Sequence, residues 1–167
     1  MGASVIRDVR EADFDAIVAL NLESEKFLSA MDLPRFRHLH SNCAYCRVVE
    51  GEAGVAAFLL AFRQGAAYDS ENYRWFDERY PSFMYVDRVV VASQQQGKGL
   101  GAKLYDDLFA FARAAGVACV TCEFDVEPPN EISRRLHERY GFREVGMKRV
   151  AYADKRVSMQ HAALALS

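Results

Sequence analysis

Val89-Val90-Val91-Ala92-Ser93-Gln94-Gln95-Gln96-Gly97-Lys98-Gly99-Leu100-Gly101-Ala102 runs from a β-branched segment into three alternating glycines and then into a helix. The strand reads from Phe83 to Ala92, and Leu100, Leu104, Leu108, Phe111 and Ala115 keep helical spacing beyond it. The first turn of such a helix carries N–H groups with no partner inside the helix, and a partial positive charge. Side chains at Gly99 and Gly101 would hold an anion away from those amides, so their absence makes the turn a seat for phosphate oxygens. A flexible turn with close helix packing is the plainer reading of the same glycines.

On either side the chain alternates between short strands and helices. Ala3 to Val9 reads as a strand, and a helix follows from about Asp13 on Phe14, Ile17, Val18 and Leu22. Asp32 and Pro34 start a second helix that runs to about His40. Ala44 to Glu50 and Val55 to Phe62, parted by Gly51 and Gly54, form an antiparallel hairpin. Arg63 to Ser82 is a long irregular connector with room for a short helix. After the glycine helix, which Gly116 ends, Val117 to Phe124 is a strand and Pro128-Pro129-Asn130 breaks the chain. A helix then runs to Tyr140 before Gly141, and strands near Phe142 to Ala151 and Arg156 to Leu164 finish the molecule. The order β-α-α-β-β-β-α-β-α-β-β predicts an α/β fold, α+β by some schemes, with a mixed, twisted central sheet flanked by helices.

The 167 residues, 51% hydrophobic and 26% charged, suit one domain over residues 1–167 with a substantial core. A net charge of -2 offers no field for a polyanion, so nucleic acid is not expected as a partner, and neither is a membrane. The N-terminus shows no basic-then-apolar leader, which makes the cytoplasm the expected location. Cys43-x-x-Cys46 and Cys119-x-x-Cys122, with His38 and His40 nearby, have the spacing of a zinc site. Both pairs, however, sit in apolar β-branched runs where residues three apart face opposite ways, so no metal is expected.

Three phosphate-binding readings compete for the glycine turn. A nucleoside-triphosphate loop needs Ser or Thr after Gly-Lys, whereas Gly97-Lys98 is followed by Gly99. Gly97-x-Gly99-x-x-Ala102 does match a dinucleotide fingerprint, with Glu123 about twenty residues on, and leaves a small NAD(P)-binding oxidoreductase open. The third reading lays a coenzyme's pyrophosphate on the turn and its arm along the preceding strand. Gln96-x-x-Gly99-x-Gly101 after Val89-Val90-Val91-Ala92 resembles the acetyl-CoA pyrophosphate loop of the GNAT superfamily of N-acetyltransferases. The run from Asn130 through Ser133, His137 and Tyr140 to Gly141-Phe142 is similar to that family's later helix, and the element order matches from end to end.

The resemblance implies acetyl-CoA as cosubstrate and direct attack by an amine. It places the acetyl arm along Val89, Val90 and Val91, between strands that splay to admit it. The pyrophosphate falls on Gln96, Gly97, Lys98, Gly99, Leu100, Gly101 and Ala102, with Asn130, Ser133 and His137 completing the coenzyme site. The usual leaving-group Tyr falls on His137, while Tyr140 is displaced by three positions, which keeps a catalytically silent coenzyme-binding module open. Asn130, Ser133 and His137 form one polar helical stripe, and a neutral imidazole can donate to a departing thiolate. Asp87 and Glu123 are the candidate bases, since each is a carboxylate in an apolar strand, where burial raises its pKa. Tyr73, Trp75 and Tyr85 are the expected acceptor wall, because aromatic rings with interspersed carboxylates suit a cationic amine. The acceptor is a small-molecule or peptide amine, and a homodimer is expected from the resemblance alone.

Overall fold

The computed structural model describes residues 4–25, 28–126, 131–150 and 155–164. Among these a seven-stranded sheet runs in the order β1-β2-β3-β4-β5-β7-β6. Its strands are β1 Val5–Asp8, β2 Tyr45–Gly51, β3 Gly54–Arg63, β4 Met84–Val91, β5 Cys119–Asp125, β6 Arg143–Val150 and β7 Lys155–Ala163. The helices are α1 Phe14–Glu23, α2 Leu33–Asn42, α3 Glu71–Asp77, α4 Leu100–Ala114 and α5 Glu131–Arg139. The connector between β3 and β4 therefore contains a helix of its own. Ser70 caps it by accepting from the Tyr73 N–H, as Asp32 caps α2 by accepting from Arg35.

The sheet separates two cores. On β3, Phe58, Leu60 and Phe62 join α1, α2 and α3 on one face, while Ala57, Leu59 and Ala61 join α4 and α5 on the other. Helices on both faces explain why Val55–Phe62 reads as an unbroken apolar run rather than an alternating one.

β4 changes phase once. Tyr85 belongs to the α1–α3 face and Met84 and Val86 to the α4 face, but beyond them Val90 joins the α1–α3 core while Val89 and Val91 pack toward α4. Odd and even positions exchange faces at Asp87, where the β3–β4 register slips: Leu60 pairs with Arg88 and Ala61 with Val86. Asp87 is the extra residue of a β-bulge, a device that kinks a strand and re-aims its side chains.

The β4–β5 pair is parallel, and only Met84 with Val120 and Tyr85 with Thr121 are in register. Beyond Tyr85 the strands diverge, as the splay expectation requires. β5 instead pairs along its length with β7, from Cys119–Ala163 to Asp125–Val157. The cysteines follow this geometry: Cys119 lies in one core, Cys122 in the other, and Cys43 at the end of α2 donates to the His40 carbonyl.

Candidate active site

The gap between β4 and β5 opens toward the start of α4. The Ala92 N–H donates to the Ala56 carbonyl at 2.8 Å. Antiparallel alternation then turns the N–H and C=O of Val89 and Val91 away from β3 and toward the gap. A single 3-10 turn, Ser93–Gln95, leads from β4 to the glycines. Gly97 and Gly99 have φ of 83° and 78°, a left-handed backbone that side chains resist, and Gly99 is the N-cap of α4. Gly101 differs, because its φ is not positive and a Cβ built on it would meet nothing within 4 Å. Neither backbone nor packing demands glycine there, although glycine in a helix costs roughly 0.5–1 kcal/mol against alanine. Open approach to the helix amides is what that cost maintains. The Lys98 ammonium, exposed beside them, donates to Gln95 Oε1 at 3.1 Å.

On the α1–α3 face of the gap lies a network of buried polar side chains. Glu123 Oε1 accepts from Tyr85 Oη at 2.9 Å and from Asn72 Nδ2 at 3.1 Å, while its enclosed Oε2 has no partner. Burial pushes this carboxyl up to about 7, against the pull of the Tyr85 hydrogen bond and with the help of the Asp87 charge. Asp87 is spent differently: Oδ1 accepts from the Tyr68 hydroxyl and Oδ2 from Arg88 Nε at 2.6 Å. Arg88, itself buried, is tied to Asn21 Oδ1 at 2.8 Å and to Ser29, so it fastens the bulge to α1 and the segment after it.

Several expected site residues stand elsewhere. Tyr73 does not line the gap; its buried hydroxyl donates to the Arg63 carbonyl and accepts from the Ala66 N–H. Trp75 lies against Gly146 of β6, with Arg79 over its ring at 3.9 Å. The Tyr73 ring is buried in the core and the Trp75 ring is half-buried at its edge, which hydrophobic burial favours over display at a wet cleft. Tyr85 is at the site, as the partner of Glu123.

His137 is turned inward, away from the polar stripe that spacing predicted, and is 7% exposed among Tyr105, Phe124 and Phe142. Its Nδ1 faces the Ser133 carbonyl at 2.5 Å and so carries the proton, leaving Nε2 to accept from Tyr105 Oη at 3.1 Å. Burial lowers its pKa, so the ring is neutral with both nitrogens engaged. Asn130 lies outside the described residues. Sequence reasoning gave no role to Asn72 as a partner of Glu123, to Tyr105, or to Thr121. The alternation of β5, which puts Thr121 on the face of Glu123, was the available signal for the last.

The chain matches the acetyltransferase (GNAT) family over residues 8–142, and it belongs to that family. It is 41% identical over 61 residues to the phosphinothricin N-acetyltransferase of Streptomyces coelicolor, covering 36% of this chain and 34% of that one. The match thus spans about a third of the relative's length. The ribosomal-protein-S18-alanine N-acetyltransferase of Escherichia coli has the same fold, with a TM-score of 0.73 at 16% identity over 99% of this chain and 96% of the other. The structure of yncA from Salmonella typhimurium with its cofactor acetyl-CoA gives 0.73 at 21% identity, over 98% and 95%. The dinucleotide reading of the glycines fails on topology as well, because β5 continues into antiparallel pairing with β7 instead of a second parallel unit.

Acetyl-CoA is the family's acyl donor, and the residues present fit it. The α4 amides behind Gly99 and Gly101 suit a pyrophosphate, and the free amides of Val89 and Val91 suit an extended arm. When bound, it supplies an acetyl group activated as a thioester. No helix among the described residues is long and apolar enough to cross a membrane.

Proposed function

We propose that this chain is an acetyl-CoA-dependent N-acetyltransferase whose acceptor is a primary amine of a small molecule or peptide. The observation that carries the reading is the divergence of β4 and β5 beyond Tyr85, which puts open strand amides on one wall and the Glu123 carboxyl on the other. An amine must lose its proton to attack, and Glu123 is built to take it. Its carboxyl, pushed up to about 7 by burial, can take up and release a proton near neutral pH, and Oε2 has no competing partner. Asp87, committed to Tyr68 and Arg88, holds the bulge. His137, with both nitrogens engaged, packs α5 against α4 and Phe142. Tyr85 and Asn72 orient the base.

Four free thiols support a reducing compartment and hence the cytoplasm. The homodimer implied by family resemblance is tested by light scattering. The test of activity is thiol release from acetyl-CoA over a panel of small amines, amino acids and peptides. The expected result is release with at least one amine class, cut roughly 100-fold or more in Glu123→Gln, the usual contribution of a general base. Absence of acetyl-CoA binding by calorimetry, or of release with every amine, refutes the proposal.

A further inference from the structure

We infer that Thr121 and His161 form an exit path for the proton that Glu123 collects, an inference that rests on the acetyltransferase reading. Three enclosed side-chain atoms among the described residues have no hydrogen-bond partner: Glu123 Oε2, Thr121 Oγ1 and His161 Nδ1. They are neighbours. Thr121 and Glu123 are two apart on β5 and so share a face, and Thr121 is the register partner of His161 on β7. Cross-strand partners stand with Cβ atoms about 4.5–5.5 Å apart on the same face, so Thr121 adjoins both residues there, with its hydroxyl beyond direct hydrogen-bond reach of either orphaned atom.

The three types of group have complementary abilities. Orphaned polar atoms in a core are rare, and a row of them implies ordered water or proton traffic. A carboxylate accepts, a hydroxyl accepts and donates, and a neutral imidazole accepts at one nitrogen while donating at the other. Thr121 is fully buried, whereas His161 is partly exposed with Nδ1 turned inward. The path therefore runs from an enclosed acid toward solvent.

The protons balance. An N–H bond of the ammonium breaks as Glu123 Oε2–H forms. That proton moves to the Thr121 oxygen as the Thr121 hydroxyl proton moves to His161 Nδ1, each across a bridging ordered water that gives up one proton as it takes another. The imidazolium then loses a proton to bulk water, and nothing is oxidised or reduced.

The surroundings suit these roles. Facing Glu123 are Tyr85 and Asp87 from β4, Asn72 from α3, Tyr68 from the connector and Asp125 on its own strand. Facing His161 are Arg143, its register partner on β6, and Tyr80, whose ring is 5.0 Å away. Burial and the Arg143 charge both hold His161 below the ordinary histidine pKa, leaving it neutral and able to accept.

The experiment has two arms on full-length protein, with unfolding midpoints recorded for every variant. In the first, the His161 titration is followed by NMR in the unliganded chain. Thr121→Val removes the hydroxyl while keeping the shape and adds no charge, and is expected to move the titration midpoint by about half a pH unit, the worth of one modest water-bridged hydrogen bond, while Thr121→Ser leaves it in place. In the second arm, Thr121→Val and His161→Ala each lower kcat about tenfold with the KM for acetyl-CoA unchanged, and added imidazole restores His161→Ala but not Thr121→Val. An active wild type, with Thr121→Val matching it in both arms or with His161→Ala deaf to imidazole, overturns the relay alone. A wild type that releases no thiol overturns the acetyltransferase reading itself.

Discussion

Replacing Glu123 by Gln converts an energetic debt of the native state into a measurable, pH-dependent gain. In the folded chain burial holds this carboxyl at about 7 against an ordinary value of 4.5. A group whose pKa is raised on folding leaves stability intact below the unfolded value and takes it away as pH climbs through the folded one. The difference corresponds to roughly 3 kcal/mol at full ionisation, at about 1.4 kcal/mol per pH unit. Gln is the neutral isostere and keeps an oxygen for Tyr85 and Asn72. At pH 4, below the ordinary value, the two proteins should therefore unfold at nearly the same temperature. At pH 9 the variant should gain, and a chain of this size shifts by about 2–4 °C per kcal/mol, so the expected advantage is roughly 6–12 °C. Calorimetric or circular-dichroism melts at half-unit steps from pH 4 to 9 measure it. The rising limb of kcat/KM near pH 7 should vanish in the same variant. A gap that stays constant with pH, or a variant less stable at pH 9, would show that Glu123 does not carry the burial penalty assigned to it.

Gly101→Ala should leave folding unharmed or improve it by about 0.5–1 kcal/mol while weakening acetyl-CoA at least roughly tenfold in calorimetry, because the open face of the first helical turn is filled. Gly99→Ala, at φ 78°, should instead cost about 1–2 kcal/mol in urea unfolding before any ligand is added. Arg88→Met leaves the Asp87 carboxylate buried without its guanidinium and should destabilise by about 3–5 kcal/mol in the same assay. Gly146→Ala drives a methyl to 2.6 Å from the Trp75 ring, and an overpacking cost of about 1–3 kcal/mol should come with a shift in the emission of the chain's single tryptophan.

The parts of the fold written locally were readable. The glycine turn, the β2–β3 hairpin and the apolar stripe of α4 follow from backbone freedom and side-chain period, which neighbouring residues determine among themselves. The bulge at Asp87 was not readable, because β4 is covered on both faces and a change of phase leaves no mark on a run of apolar residues. The insertion of β7 between β5 and β6 is likewise a choice made by the whole sheet. At the site, Glu123 stood out as a lone acid in an apolar strand, and burial does raise its pKa. Asp87 stood out for the same reason, yet Arg88, drawn inward by Asn21 and Ser29, takes up one of its oxygens. Tyr73, Trp75 and His137 have the chemistry of ligand-facing groups. Only the packing of α3 on the sheet and of α5 on α4 shows that Tyr73 fills the interior, that Trp75 packs at its edge against Gly146, and that His137 bonds to Ser133 and Tyr105.

The brief contact between β4 and β5 also divides the molecule mechanically. Four strands lie on one side of that seam and three on the other, joined across it in the sheet by two residue pairs. Under load or partial denaturation the sheet should part there first, and a ligand threaded through the opening would rivet its two leaves together.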